Sequence, residues 1–89
     1  MKKVTIYTTT TCLYCKMAKE FFAEHAVAYE EHNVGSDVAA REEMLALTGQ
    51  LGVPVIVIRT EGEGSEKKEP IVIIGFDKKR LMEALEIAA

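Results

Sequence analysis

Tryptophan is absent from the 89 residues, and proline and cysteine occur only twice each. Two cysteines cannot build the disulfide framework of a small secreted scaffold. Cys12 and Cys15 also lie so close together that a bridge between them would remove little entropy from the unfolded chain. Chemistry is a better reason for the pair than stability. Nowhere do about 18 apolar residues run together, as a membrane span requires. The apolar run after Lys2 and Lys3 is far shorter than a secretory core, so the expectation is a cytoplasmic protein with no membrane partner. An excess of positive charge is missing too: eleven Lys and Arg against fourteen Asp and Glu leave a net charge of −3. That balance argues against a nucleic-acid binder relying on counterion release. With 48% apolar and 28% charged residues, the composition suits a folded domain better than a disordered tail. The length admits one core, hence a single domain over residues 1–89, expected to be a monomer.

Val4-Thr5-Ile6-Tyr7 is a β-branched and aromatic run that predicts a strand, with threonines leading from it into a segment of helical periodicity. There Leu13, Met17, Phe21 and Phe22 are expected to face a core, opposite Lys16, Lys19, Glu20 and Glu24. Val27 to His32 reads as a second strand, placed at a sheet edge. Ser36 is the expected N-cap of a second helix with Asp37 in its first turn, an inner stripe of Ala40, Met44, Leu45 and Leu47, and Gly49 closing it. Val53 to Ile58 and Ile71 to Ile74 are continuous apolar runs, read as central strands covered on both faces. The Gly-rich, charged stretch from Arg59 to Pro70 between them reads as a solvated hairpin connection. Asp77 is the expected N-cap of a last helix with Leu81, Leu85 and Ala88 on its inner face. The order is βαβαββα, an α/β fold. Alternating strands and helices force a parallel portion and the closing hairpin an antiparallel one, giving a mixed four-stranded sheet flanked by three helices.

The two sulfurs fall where the first strand hands over to the first helix. Unpaired backbone N–H groups, the positive end of the helix dipole and nearby Lys16 and Lys19 should all favour a thiolate at Cys12. Cys15, one turn further on and more buried, is placed to attack a mixed disulfide formed at Cys12. A Cys-x-x-Cys pair near a βαβ pattern is a redox signal. The spacing of His25 and His32 after the cysteines misses the usual zinc pattern, so both are read as solvated and no metal site is expected. Thr8 to Thr11 can either cap the helix or donate hydroxyl hydrogen bonds to the thiolate.

These residues resemble the glutaredoxins, members of the thioredoxin-fold family, along nearly the whole chain. Cys12-Leu13-Tyr14-Cys15 is similar to the glutaredoxin active site with Leu in place of Pro. Thr48-Gly49-Gln50 followed by Val53-Pro54 is similar to the family's substrate-binding segment, Tyr29-Glu30-Glu31 with Asn33-Val34 to its second strand, and Gly75-Phe76-Asp77 to the turn before its last helix. The resemblance implies a thioredoxin-like fold and a dithiol–disulfide oxidoreductase with Cys12 and Cys15 as catalytic residues. It implies no bound cofactor, glutathione as co-substrate, and disulfide-containing proteins as targets. It further implies a cis bond at Val53-Pro54 with the Val53 backbone free to pair with an extended peptide. Tyr14 would border that groove, Gln50 would reach its rim, and Gly75 and Asp77 would receive the γ-glutamyl end of glutathione. Thr9 stands where many glutaredoxins carry Lys, and Phe76 where many carry Cys. The Gly-Phe pair resembles the glutaredoxin-like electron donors of ribonucleotide reductase, some of which take electrons from thioredoxin reductase, so either electron source is open. Two other classes remain: an iron–sulfur module bridged through Cys12 and glutathione, and a noncatalytic adaptor that binds a strand. Lys78, Lys79 and Arg80 with Lys16 and Lys19 are expected to form a basic rim around the sulfurs that attracts carboxylates.

Overall fold

The structure, a computed structural model, describes residues 2–60 and 70–85. Strands β1 (Lys2–Thr8), β2 (Glu30–Asn33), β3 (Val55–Thr60) and β4 (Ile71–Ile74) alternate with helices α1 (Leu13–Glu24), α2 (Val38–Thr48) and α3 (Lys78–Leu85) in the expected order. They form one mixed sheet in the order β2-β1-β3-β4. β1 runs parallel to β2, and β3 is antiparallel to both β1 and β4.

Strand alternation divides the interior in two. Val4 and Ile6 of β1 and Ile56 and Ile58 of β3 join Ala18, Phe21 and Phe22 of α1, Ile73 and Leu81 on one face. Tyr7, Val55 and Val57 meet Val34 and the α2 residues Ala40 and Met44 on the other. The Tyr7 hydroxyl, buried on that face, donates to Glu43 Oε1 at 2.7 Å.

Several expectations change. β2 is an edge strand as expected but begins at Glu30 instead of Val27. The third strand begins at Val55, after Pro54, not at Val53. β4 is an edge strand and not a central one: Ile73 is buried, but Ile71 and Ile74 are 40% and 53% exposed. The N-cap of α2 is Asp37, whose Oδ1 accepts from Ala40 N–H at 3.1 Å, while Asn33 and the Ser36 hydroxyl belong to the preceding turn. Leu45 points largely outward. The connection from Arg59 to Pro70 lies mostly outside the described residues, as does Ala88.

α1 ends in a paired-bond turn of unusual composition. Val27 N–H donates to Phe22 O at 2.8 Å and Ala26 N–H to Ala23 O at 3.3 Å, the two bonds of a Schellman closure. The residue that must turn left-handed is Ala26, at φ 55°, where glycine usually serves because a Cβ costs about 1–2 kcal/mol there. Glycine's greater freedom in the unfolded chain offsets part of that gain, so Ala26→Gly is expected to stabilise the fold by about 0.5–1 kcal/mol. A raised urea midpoint at unchanged slope would register it.

Candidate active site

Cys12 is itself the N-cap of α1, so the threonines before it do not cap the helix. Its backbone is extended, at φ −84° and ψ 110°, and its Sγ accepts from Cys15 N–H at 3.1 Å. A sulfur thus takes the place that a serine or aspartate oxygen usually fills, with the positive end of the helix behind it. Cys12 is half-buried and Cys15 only 1% exposed, and both are thiols. Burial pushes the Cys15 thiol up, and its hydrogen bond with Cys12 adds to the effect. The geometry therefore makes the two sulfurs unequal: one half-buried and accepting from a backbone N–H, one fully buried, with a raised hold on its proton.

On the β3 side of Cys12, the Val53-Pro54 peptide is cis and Pro54 is buried. Gly75 N–H donates to Pro54 O at 2.8 Å, and Gly75 sits at φ 87°, a conformation that favours glycine. Two residues later, Asp77 caps α3, its Oδ1 accepting from Arg80 N–H at 3.1 Å. Val53, Pro54, Gly75 and Asp77 are thereby linked in one place. Tyr14 is 59% exposed between the two cysteines. Gln50 lies in the loop before Val53, where its Oε1 accepts from Gly52 N–H and its Nε2 donates to Gly52 O at 3.1 Å, so its amide braces its own loop.

The expected inward stripe of α1 is partly wrong. Phe21 and Phe22 are buried, but Leu13 is 66% and Met17 40% exposed, since the covered face of the helix runs through Cys15, Ala18, Phe21 and Phe22 and leaves Leu13 and Met17 to one side. Met17 lines a cavity of about 310 Å³ with Phe21, Phe76 and Lys78, walled also by Glu20 and Glu24. His25 packs on the Phe21 ring, while His32 stacks on Tyr7 and pairs with Glu30. Among the described residues no cluster of three metal-ligating side chains forms.

On the β2 side lies a group that the sequence reading did not assemble. The buried Thr8 hydroxyl donates to Glu31 Oε2 at 2.7 Å, not to a cysteine, and Lys19 Nζ reaches the same oxygen at 3.0 Å. Lys19 is therefore paired and cannot serve a freely basic rim as expected. The Thr8 hydrogen bond, with help from Lys19, holds the Glu31 carboxyl below the usual range. Lys19 and Glu31 wall a cavity of about 550 Å³ together with Cys12, Lys16, Asn33 and the threonine loop. The partners Thr8 and Glu31 stand 23 residues apart in the chain, so no local pattern could have joined them.

Known proteins place this arrangement in a family. The sequence model of the family Glutaredoxin matches residues 4–62. A glutaredoxin-like 8.6 kDa protein of the rubredoxin operon of Clostridium pasteurianum is 36% identical over 83 residues, 93% of this chain and 97% of that one. Glutaredoxin 3 of Escherichia coli is 38% identical over 64 residues, 72% of this chain and 77% of the relative. The crystal structure of a mutant thioredoxin-like protein, 33% identical, superposes with a TM-score of 0.75 over 99% of this chain and 100% of its own. Its thioredoxin-like sheet, its helix-capping sulfur and these likenesses together make the chain a member of the glutaredoxin family, whose general chemistry is thiol–disulfide exchange.

Proposed function

We propose that this protein reduces protein disulfides and glutathione mixed disulfides through Cys12, with Cys15 releasing the product. The observation that carries the reading is the Cys15 N–H bond to Cys12 Sγ at 3.1 Å, at the start of a helix. A donor already aimed at the sulfur meets negative charge there without reorganisation, which suits the attacking sulfur of a disulfide exchange. In the first step Cys12 thiolate attacks a disulfide sulfur of the target, forming a mixed disulfide and expelling the other target sulfur as a thiolate. In the second, Cys15 loses its proton and attacks Cys12 Sγ. The second target thiolate leaves, and the protein carries the Cys12–Cys15 disulfide. The Val53 backbone, at the cis peptide just before β3, is the proposed site of strand addition by the target, the pairing mode that tolerates many sequences.

Glutathione is the proposed reductant of that disulfide. The linked Pro54, Gly75 and Asp77 groups support it, because the first turn of α3 has N–H groups beyond the Arg80 N–H that Asp77 takes, and these can donate to a carboxylate. Phe76, in a place where many glutaredoxins carry Cys, supports thioredoxin reductase as the alternative source. The test is to oxidise the protein and supply either glutathione with glutathione reductase, or thioredoxin reductase, each with NADPH. Recovery of two free thiols in the first mixture is the expected result. Recovery only in the second reassigns the donor, and recovery in neither overturns the oxidoreductase reading.

A further inference from the structure

The Thr8, Glu31 and Lys19 cluster has no part in the chemistry described so far, and a half-exposed ion pair of this kind contributes little to stability. Its placement is specific. Cys15 and Lys19 stand four residues apart on α1, hence one turn apart on the same face. Helical side chains lean toward the N-terminus, which carries the Lys19 stem back toward the sulfurs. The ammonium ends on Glu31 Oε2 at 3.0 Å, and that oxygen is fixed from below by the hydroxyl of the fully buried Thr8 at 2.7 Å. Two neighbouring strands thus hold one cation of the helix in a set position, at the wall of the cavity onto which Cys12 opens.

We propose that Lys19 assists the resolving step by stabilising the Cys15 thiolate, and that Glu31, anchored by Thr8, is the positioning residue that keeps Lys19 there. The inference rests on the roles given above to Cys12 and Cys15. In that step the Cys15 S–H proton passes to solvent, and the sulfur's electron pair forms the bond to Cys12 Sγ. The bond from Cys12 Sγ to the target sulfur breaks, and the target departs as a thiolate. Negative charge must therefore gather on a sulfur whose burial disfavours it. The titratable and charged groups facing this region are Cys12, Lys16 and Lys19 from α1, Glu31 from β2, and Tyr29 just before it. The Lys19 charge, one turn along the same helix face, draws the Cys15 thiol down against its burial.

The test loads Cys12 with thionitrobenzoate from Ellman's reagent and follows, by its colour, release of the second thionitrobenzoate as Cys15 closes the disulfide. Loading reports attack by Cys12, and release reports resolution. In Lys19→Met, release is expected to slow about tenfold at neutral pH and its pH profile to move about one unit alkaline, with loading slowed several-fold less than release. Lys19→Arg should restore both. Glu31→Met should slow release in the same direction although it deletes a negative charge, because the ammonium loses its anchor. An unmoved release profile in Lys19→Met, or equal slowing of loading and release, overturns the proposal. A wild-type protein that loads but never releases refutes the role of Cys15 instead.

Discussion

Cys12→Ser is expected to lose protein-disulfide and glutathione mixed-disulfide reduction by at least about three orders of magnitude, the scale set by removing a covalent nucleophile. Cys15→Ser should behave differently. Cys12 keeps its place at the end of α1, and the bond it accepts comes from the backbone N–H of residue 15, which serine also supplies. Attack then proceeds but cannot be resolved, so the variant should accumulate a mixed disulfide with a protein target, visible as the summed mass. A route in which free glutathione resolves the adduct needs only Cys12 and should survive. Activity retained by Cys12→Ser, or failure of Cys15→Ser to trap a target, would contradict the assignment of roles.

The largest loss of stability is expected from Phe22→Ala. Phe22 is fully buried beneath the sheet, its ring centroid 6.0 Å from that of Phe21 and 5.2 Å from that of Tyr29. Truncation removes its transfer free energy and leaves a cavity, at a cost of about 3–5 kcal/mol. For a domain whose total stability is of the order of 5–15 kcal/mol, that is a large fraction. Leu13→Ala, on the same helix but 66% exposed, should change stability by less than about 0.5 kcal/mol. Urea midpoints of the two variants read the contrast directly, and equal losses would mean that α1 packs on a different face.

That contrast also marks how far the sequence could be read. The large apolar residues of α1 suggest a stripe of Leu13, Met17, Phe21 and Phe22, but the covered face runs through Cys15, Ala18, Phe21 and Phe22. A cysteine and an alanine carry too little apolar weight to mark that face against Leu13 and Met17. Continuous apolar runs identify β3 and β4 as strands, yet hydrophobicity alone does not distinguish a central strand from an edge strand with one covered face. Local chemistry reads better: the two sulfurs at the strand-to-helix junction, Gly49 in the left-handed conformation and Asp77 capping α3 all stand as expected. Ser36 and Asp37 are adjacent cap formers, and the turn bonding of Asn33 to Gly35 and Ser36 leaves the aspartate as the one that caps. What depends on distant pairing is hidden. Glu31 meets Thr8 because a parallel strand pair aligns Ile6 with Glu31 and Thr8 with Asn33, a register that no window of neighbouring residues encodes.

The bond from Gly75 N–H to Pro54 O is made by main-chain atoms on both sides. No side-chain replacement at Phe76 or Lys78 deletes it, so the Val53-Pro54 loop keeps its position while the surface beside it is free to diversify. Given glycine at 75, the side chains around this joint can be exchanged and the main chain beneath them left as it was.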